Sequence, residues 1–220
     1  MSLKQKLSEA EMQRIKDAVK EAEEKISGEI VPVIVEQSGP YRTANYKACI
    51  SFSVFAFIVI VILDRYIITD ATHTLYYDPM FIMMVVVSAG LVGWFLPNLS
   101  YSVKRLFLSR QHMDERASQR AENIFLEEEV FNTKHRTGIM LFISFFEHEV
   151  IVMADKGISK VVEQKEWDQI VNLLVENIHK GQIVSGIEEG IKRCGEILLE
   201  KGFIKESDDT NELRDDLRLN

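Results

Sequence analysis

Charge all but vanishes from two stretches of the chain and is dense everywhere else. Ala48 to Leu63 reads ACISFSVFAFIVIVIL, and Met80 to Leu96 reads MFIMMVVVSAGLVGWFL; neither contains Asp, Glu, Lys or Arg. A helix crosses a hydrocarbon layer in about 20 residues, within a range of about 17–25. With Tyr46, Lys47 and Tyr66 as flanks, the runs predict spans over about 46–66 and 79–97, the lysine reaching back to headgroups. Tyr76, Tyr77 and Trp94 fall where aromatic belts form. Backbone in lipid must satisfy its own polar groups, so both runs are expected to be helices. A buried helical hairpin in a soluble core is the alternative, but two neighbouring charge-free runs would need a far larger protein to cover them. The connection from Asp64 to Pro79 carries one strong base, Arg65, whereas the outer flanks carry Arg42, Lys47, Lys104, Arg105 and Arg110. The bias toward basic cytoplasmic flanks places the connection outside and both flanks inside. Two spans return the chain to its starting side, so the polar halves can fold together.

Those halves read as a small α/β domain. Leu7 to Ile26 has Met12, Ile15, Val19, Ala22 and Ile26 on one helical face. Ser8 and Glu11 form a capping box, Leu7 and Met12 a hydrophobic staple, and Gly28 a stop. Glu29 to Glu36 is a strand whose unbroken apolar run suits burial on both faces; Pro32 in it points to an edge or a bulge. Ser109 to Asn132 predicts a charged helix with a packing stripe of Ala117, Ala121, Ile124 and Phe125. Ile139 to Phe145 and Val150 to Ala154 predict a β-hairpin about Glu147-His148-Glu149. Two helices follow, one marked by Trp167, Ile170, Leu174 and Ile178, the other by Ile187, Ile191, Cys194 and Leu198. The expected organisation is 1–40 and 109–204 as two parts of one domain, 41–108 as the inserted hairpin, and 205–220 as an acidic disordered tail. Helices must cover the faces of a small mixed β-sheet, which gives an α/β sandwich.

The net charge of −8 and the lack of a basic stripe argue against nucleic acid as a partner. The two cysteines, Cys49 and Cys194, have neither metal nor redox spacing and read as small buried hydrophobes. The segment from Met1 to Lys6 leads into a polar amphipathic helix and is not expected to be a signal peptide.

Several blocks resemble a known family. SGEIVPVIV (Ser27 to Val35), RAENIFLEEEVFNTKHRTGIMLFISFFEHEVIVMADKGI (Arg120 to Ile158), Trp167 and the Gly-bounded helices resemble the TPM domain. More closely, they resemble its bacterial branch of membrane proteins with a transmembrane hairpin inside the domain, and Asn211-Glu212-Leu213 resembles that branch's tail. The resemblance implies a central sheet flanked by helices. Other branches are linked to photosystem II repair, with phosphatase activity proposed, and some bind calcium. Where those branches carry a stretch rich in Gly and acids after the β-hairpin, this chain has Lys156-Gly157-Ile158-Ser159-Lys160.

Candidate chemistry is sparse. Ligand crevices in α/β sheets open beyond the carboxyl ends of parallel strands, so Asp155 at the end of the β-hairpin is a candidate ligand for a divalent cation, calcium or magnesium, with Glu29 as a second. Asp155 reads more simply as a turn residue before Gly157 that accepts backbone N–H bonds, and Glu29 as a strand-edge or salt-bridge residue. Arg136 is a candidate anion binder, or a partner for Glu127-Glu128-Glu129. His112, His135, His148 and His179 occupy polar surface positions, and His73 lies in the outer connection. Gly90 and Gly93 let membrane helices approach closely, within the hairpin or against a second protomer. No ionisable residue lies inside either run, which argues against a transport path. The resulting expectation is a membrane-anchored, non-catalytic interaction or assembly module. It would sit in the bacterial inner membrane facing the cytoplasm, its partners the lipid bilayer and another protein or itself. The alternative is a metal-dependent phosphatase or related hydrolase.

Overall fold

The computed structural model describes residues 7–66, 78–205 and 211–219. Most of the connection between the two apolar runs, including His73, Tyr76 and Tyr77, lies outside the described residues, as do Asp208 and Asp209 of the tail. The chain forms two compact units, one from the residues up to Gly39 and from Asp114 onward, the other Pro40–Met113.

In the first unit, α1 (Glu9–Glu23) starts from the expected box: Ser8 Oγ accepts the Glu11 N–H at 3.3 Å, and Glu11 Oε2 accepts the Ser8 N–H at 2.8 Å. The helix stops at Glu23, well short of Gly28. Gly28 instead permits close packing, since a Cβ there would lie 3.0 Å from Leu198 Cδ1 and 3.1 Å from the Thr137 carbonyl. Strands β1 (Glu29–Val35), β2 (Gly138–Ser144) and β3 (Glu149–Ala154), with the two-residue β4 (Arg218–Leu219), make one sheet in the order β3-β2-β1-β4. β1 runs parallel to β2 and β4, and β3 runs antiparallel to β2.

β1 and β2 are buried along their whole lengths because both faces of the sheet are covered. On one face Ile30, Ile34, Ile139, Leu141 and Ile143 pack with α1, α7 (Gln164–His179) and α8 (Ile183–Glu200). On the other, Val31, Val33, Val35, Met140 and Phe142 pack against Ala117, Ala121 and Ile124 of α5 (Arg110–Glu127). The alternation of faces along a strand makes this division.

Pro32 sits in a central strand without a bulge. Glu29 donates to the Thr137 carbonyl and Val35 accepts from Phe145, so odd positions of β1 face β2 and even positions face the other way. Pro32 is even, and β4 pairs only with Val33 and Ile34, so its missing N–H breaks no ladder bond.

The tail departs from the expected disorder over residues 211–219. Leu213, Leu217 and Leu219 pack against the core clusters, and β4 extends the sheet. Lys16 Nζ meets Asp216 Oδ1 at 2.7 Å, and Arg218 Nε meets Glu128 Oε2 at 2.9 Å. Asp216 is offset by Lys16 of α1, and the tail leucines pack on the core.

The second unit holds α2 (Arg42–Tyr66), α3 (Pro79–Phe95), a 3₁₀ turn Leu96–Asn98 and the short α4 (Tyr101–Leu106). The stretches Arg42–Tyr66 and Pro79–Asn98 are long and apolar enough to cross a membrane, and only 11 % of an apolar 18-residue segment within each is buried. Asp78 caps α3 by accepting the Met80 N–H at 2.9 Å, with Pro79 in the first turn. At the other end Asn45 Nδ2 donates to the Trp94 carbonyl at 2.9 Å, and the Tyr46 and Trp94 rings meet edge to face at 4.8 Å.

Candidate functional site

Buried polar groups of the α/β unit, among them Glu29, Asp155, Ser144 and Glu147, lie at the two ends of its sheet. At the amino end of β1 and β2, Glu29 pairs with Gly138, whose carbonyl also accepts the Asp155 N–H at 2.9 Å. Asp155 closes β3, but β3 returns antiparallel after a four-residue turn. Asp155 therefore lies at the amino end of the parallel pair, opposite the crevice position expected from the sequence.

Asp155 is buried and ion-paired, although its Oδ2 makes no hydrogen bond. Its Oδ1 accepts from Lys156 N at 2.7 Å and from Arg136 Nη2 at 3.0 Å, and its Oδ2 lies 2.6 Å from Arg136 Nε. It thereby caps the short helix α6 (Lys156–Ser159). Arg136, held in the left-handed region at φ 58°, spreads its guanidinium over the Phe131 ring at 5.6 Å. Its partner is Asp155 and not the Glu127–Glu129 run. Those acids are taken elsewhere: Glu127 by Arg120, Glu128 by Arg214 and Arg218, Glu129 by Asn132.

Glu29 is engaged differently. Its carboxylate accepts the Glu212 N–H at 3.1 Å and the Leu213 N–H at 3.2 Å, pinning the tail. Burial pushes its pKa above the ordinary glutamate value; the two amide bonds pull it down, and Glu212 and Asp215 push it up. Next to it is a group the sequence reading passed over. Glu23 is buried and accepts the Ile30 N–H at 2.8 Å. Burial raises its pKa to about 8, the Ile30 amide opposes that rise, and the Glu29 charge adds to it. The signal was available, since Glu23 falls four residues after Val19 on the apolar face of α1.

These residues do not fit a metal ion. Glu29 and Asp155 stand two strands apart, about 10 Å at ordinary strand spacing. One carboxylate is occupied by backbone amides and the other by a guanidinium whose charge repels a cation. Among the described residues no cluster of three or more His, Cys, Asp or Glu side chains could hold one.

At the carboxyl end the fully buried Glu147 ties the loop after β1 to the β2–β3 turn. Its Oε1 accepts the Ser38 N–H at 2.8 Å, its Oε2 accepts the Ser144 hydroxyl, and Ser38 Oγ lies 3.2 Å from Ser144 Oγ. Nothing in the sequence pattern distinguishes Glu147 from a solvated turn acid. Beside this corner a cavity of about 240 Å³ is lined by Ser144, His148 and His179 over Phe145, Val150 and Ile178. The Ser144 hydroxyl is committed to Glu147, so the two imidazoles edge a small apolar pocket and do not activate a presented nucleophile.

Cys194 is completely buried, and burial pushes its thiol up to about 12, which makes it unreactive. In the hairpin unit Gly90 and Gly93 face α2. A Cβ on Gly93 would lie 2.7 Å from the Ala48 carbonyl and 2.9 Å from Phe52 Cβ, and one on Gly90 would strike Ser53 Oγ. Ser53 Oγ also lies 3.3 Å from the Val86 carbonyl, a bond across the helix pair.

A mixed four-stranded sheet between helical layers, with two long apolar helices inserted in its sequence, defines the class: an α/β domain carrying a helical hairpin. Residues 103–197 match the family model of the TPM domain, the domain that the sequence blocks resemble. No curated protein matches the chain. Among solved structures it is similar in fold to BA42 protein from the psychrophilic bacterium Bizionia argentinensis, determined by NMR. The TM-score is 0.59 at 18 % identity, over 97 % of this chain and 95 % of that one.

Proposed function

We propose that this chain belongs to the bacterial TPM branch with a membrane hairpin, and that it is an interaction or assembly module, not an enzyme. Its α/β unit faces the cytoplasm of the bacterial inner membrane. The observation that carries this reading is the internal use of the groups singled out as a candidate site. Asp155 is bound by Arg136, Glu29 by the tail amides, and Ser144 by Glu147. The anchoring half rests on the two apolar helices and their exposed side chains, such as Phe55, Met84 and Leu91. The basic flanks support the orientation.

Calcium and magnesium titration of the full chain in detergent, read by calorimetry and by turnover of a generic phosphoester, is expected to show neither stoichiometric binding nor hydrolysis. Turnover that Asp155→Ala abolishes would establish the metal-dependent hydrolase instead. Extraction of membranes with alkaline carbonate should leave the protein in the pellet. A chain that stays dissolved and monodisperse without surfactant would remove the anchor.

A further inference from the structure

The sheet has two edges, and the chain treats them differently. On the β1 side the outward-facing backbone is dealt with residue by residue: the Ile30 N–H goes to Glu23, Pro32 has none, and Ile34 pairs with Leu219. On the β3 side nothing comparable exists among the described residues. β3 is the terminal strand of the sheet. Asp155 N donates to the Gly138 carbonyl, so the hydrogen-bonded pairs are 140–153, 142–151 and 144–149. Val150, Val152 and Ala154 therefore turn their N–H and C=O groups outward, and among the described residues no hydrogen bond reaches them. Residues 150–154 read VIVMA and are half-buried, whereas β1 and β2 are buried throughout. They carry no lysine and no proline, the usual guards of an open edge.

We propose that this edge pairs antiparallel with the β3 edge of a second copy of the chain, about a two-fold axis through Val152. The proposal deepens the interaction-module reading, on which it rests, by naming the surface and the partner. An occupant must be extended, uncharged and able to offer donors and acceptors on alternate residues. β3 meets its own requirement: with Val152 opposite Val152, Val150 falls opposite Ala154, and all three outward residues form hydrogen-bonded pairs. Ile151 then faces Met153 across the interface, apolar against apolar. Charge favours the same place. Two copies of net charge −8 repel over most of their surfaces, and this strip is neutral. At its ends Glu149 falls opposite Asp155, whose charge Arg136 offsets. Because β4 already occupies the other edge, the sheet extends to two copies and closes there.

The test uses the full chain in detergent and in lipid nanodiscs, with mass measured by light scattering across a concentration series and amide exchange resolved by residue. The expected result is a dimer that forms with concentration, in which the amides of Val150, Val152 and Ala154 change from fast to slow exchange. Met153→Lys places two like charges at the interface and should weaken the dimer by about tenfold or more, with the melting curve read alongside because Met153 also packs against the core cluster. Val152→Pro removes an outward donor without touching the β2 ladder and should act in the same direction. Exchange on the unaltered protein decides the matter if either variant fails to fold. A monomer at every concentration overturns the proposal. So does a dimer whose three amides stay fast, which would place the contact elsewhere, such as the hairpin helices. Slow exchange in the monomer, or only after a foreign protein is added, also overturns it. None of these outcomes bears on membrane extraction or on phosphoester turnover, so failure here is distinct from failure of the module reading.

Discussion

The two units put the same kinds of side chain to opposite use. In the α/β unit Phe142 is completely buried, and in the hairpin Phe55 is 67 % exposed. One unit is held by apolar contact removed from water. The other is a pair of helices whose own contact includes small residues, two polar bridges and the Tyr46–Trp94 ring pair, with much apolar surface left exposed. Hydrophobicity alone therefore says little about which face of an element packs; the surrounding solvent decides it.

The strongest way to sharpen this contrast is to truncate both phenylalanines. Phe142→Ala should destabilise the α/β unit by about 3–5 kcal/mol, measured by denaturant unfolding of the full chain in detergent, because a core void cannot collapse fully. Phe55→Ala should leave the same transition unmoved. Equal effects would mean that Phe55 is packed as a core residue and that the hairpin is no membrane element.

A second effect separates the units by pH. Glu23 titrates at about 8 in the folded unit against an ordinary value of 4.5, so the folded state holds its proton when the unfolded state has lost it. Its contribution is whole below about pH 4.5 and fades as pH rises toward 8, so stability falls across that window. Glu23→Gln keeps an acceptor for Ile30 and should flatten that fall, gaining on the order of 2–4 kcal/mol above pH 8. Glu29, raised in the same direction, leaves a residual slope. A wild-type profile level from pH 5 to 8 would contradict the burial of Glu23.

Gly93→Leu tests the hairpin by itself. The new side chain meets the Ala48 carbonyl and Phe52, an overpacking expected to cost about 1–3 kcal/mol. Crosslinking between cysteines placed on α2 and α3 should fall, while unfolding of the α/β unit is unchanged. The smallest expected effect is Ser8→Ala, about 1 kcal/mol from the lost cap of α1, read in the same denaturation experiment.

Sequence pattern by itself determined the elements: the two apolar helices, the capped α1, the paired strands β2 and β3, and the face of α5 that packs. Those are consequences of short-range periodicity and end chemistry, which a linear reading contains. It also carried the resemblance to the TPM domain, through the block from Arg120 to Ile158 that lies within the matched residues, because a local motif needs no three-dimensional arrangement to be seen. Tertiary structure decided where the charges went. Asp155 meets Arg136 across 19 positions, Glu29 meets Glu212 and Leu213 across more than 180, and Glu147 closes on Ser38 across 109. Which end of the sheet Asp155 occupies depended on the direction of β3, and whether the tail was ordered depended on an edge of β1 left open for it. Hydrogen bonds and ion pairs reach only a few ångströms, so their partners are set by the path of the chain through space and not by distance along it.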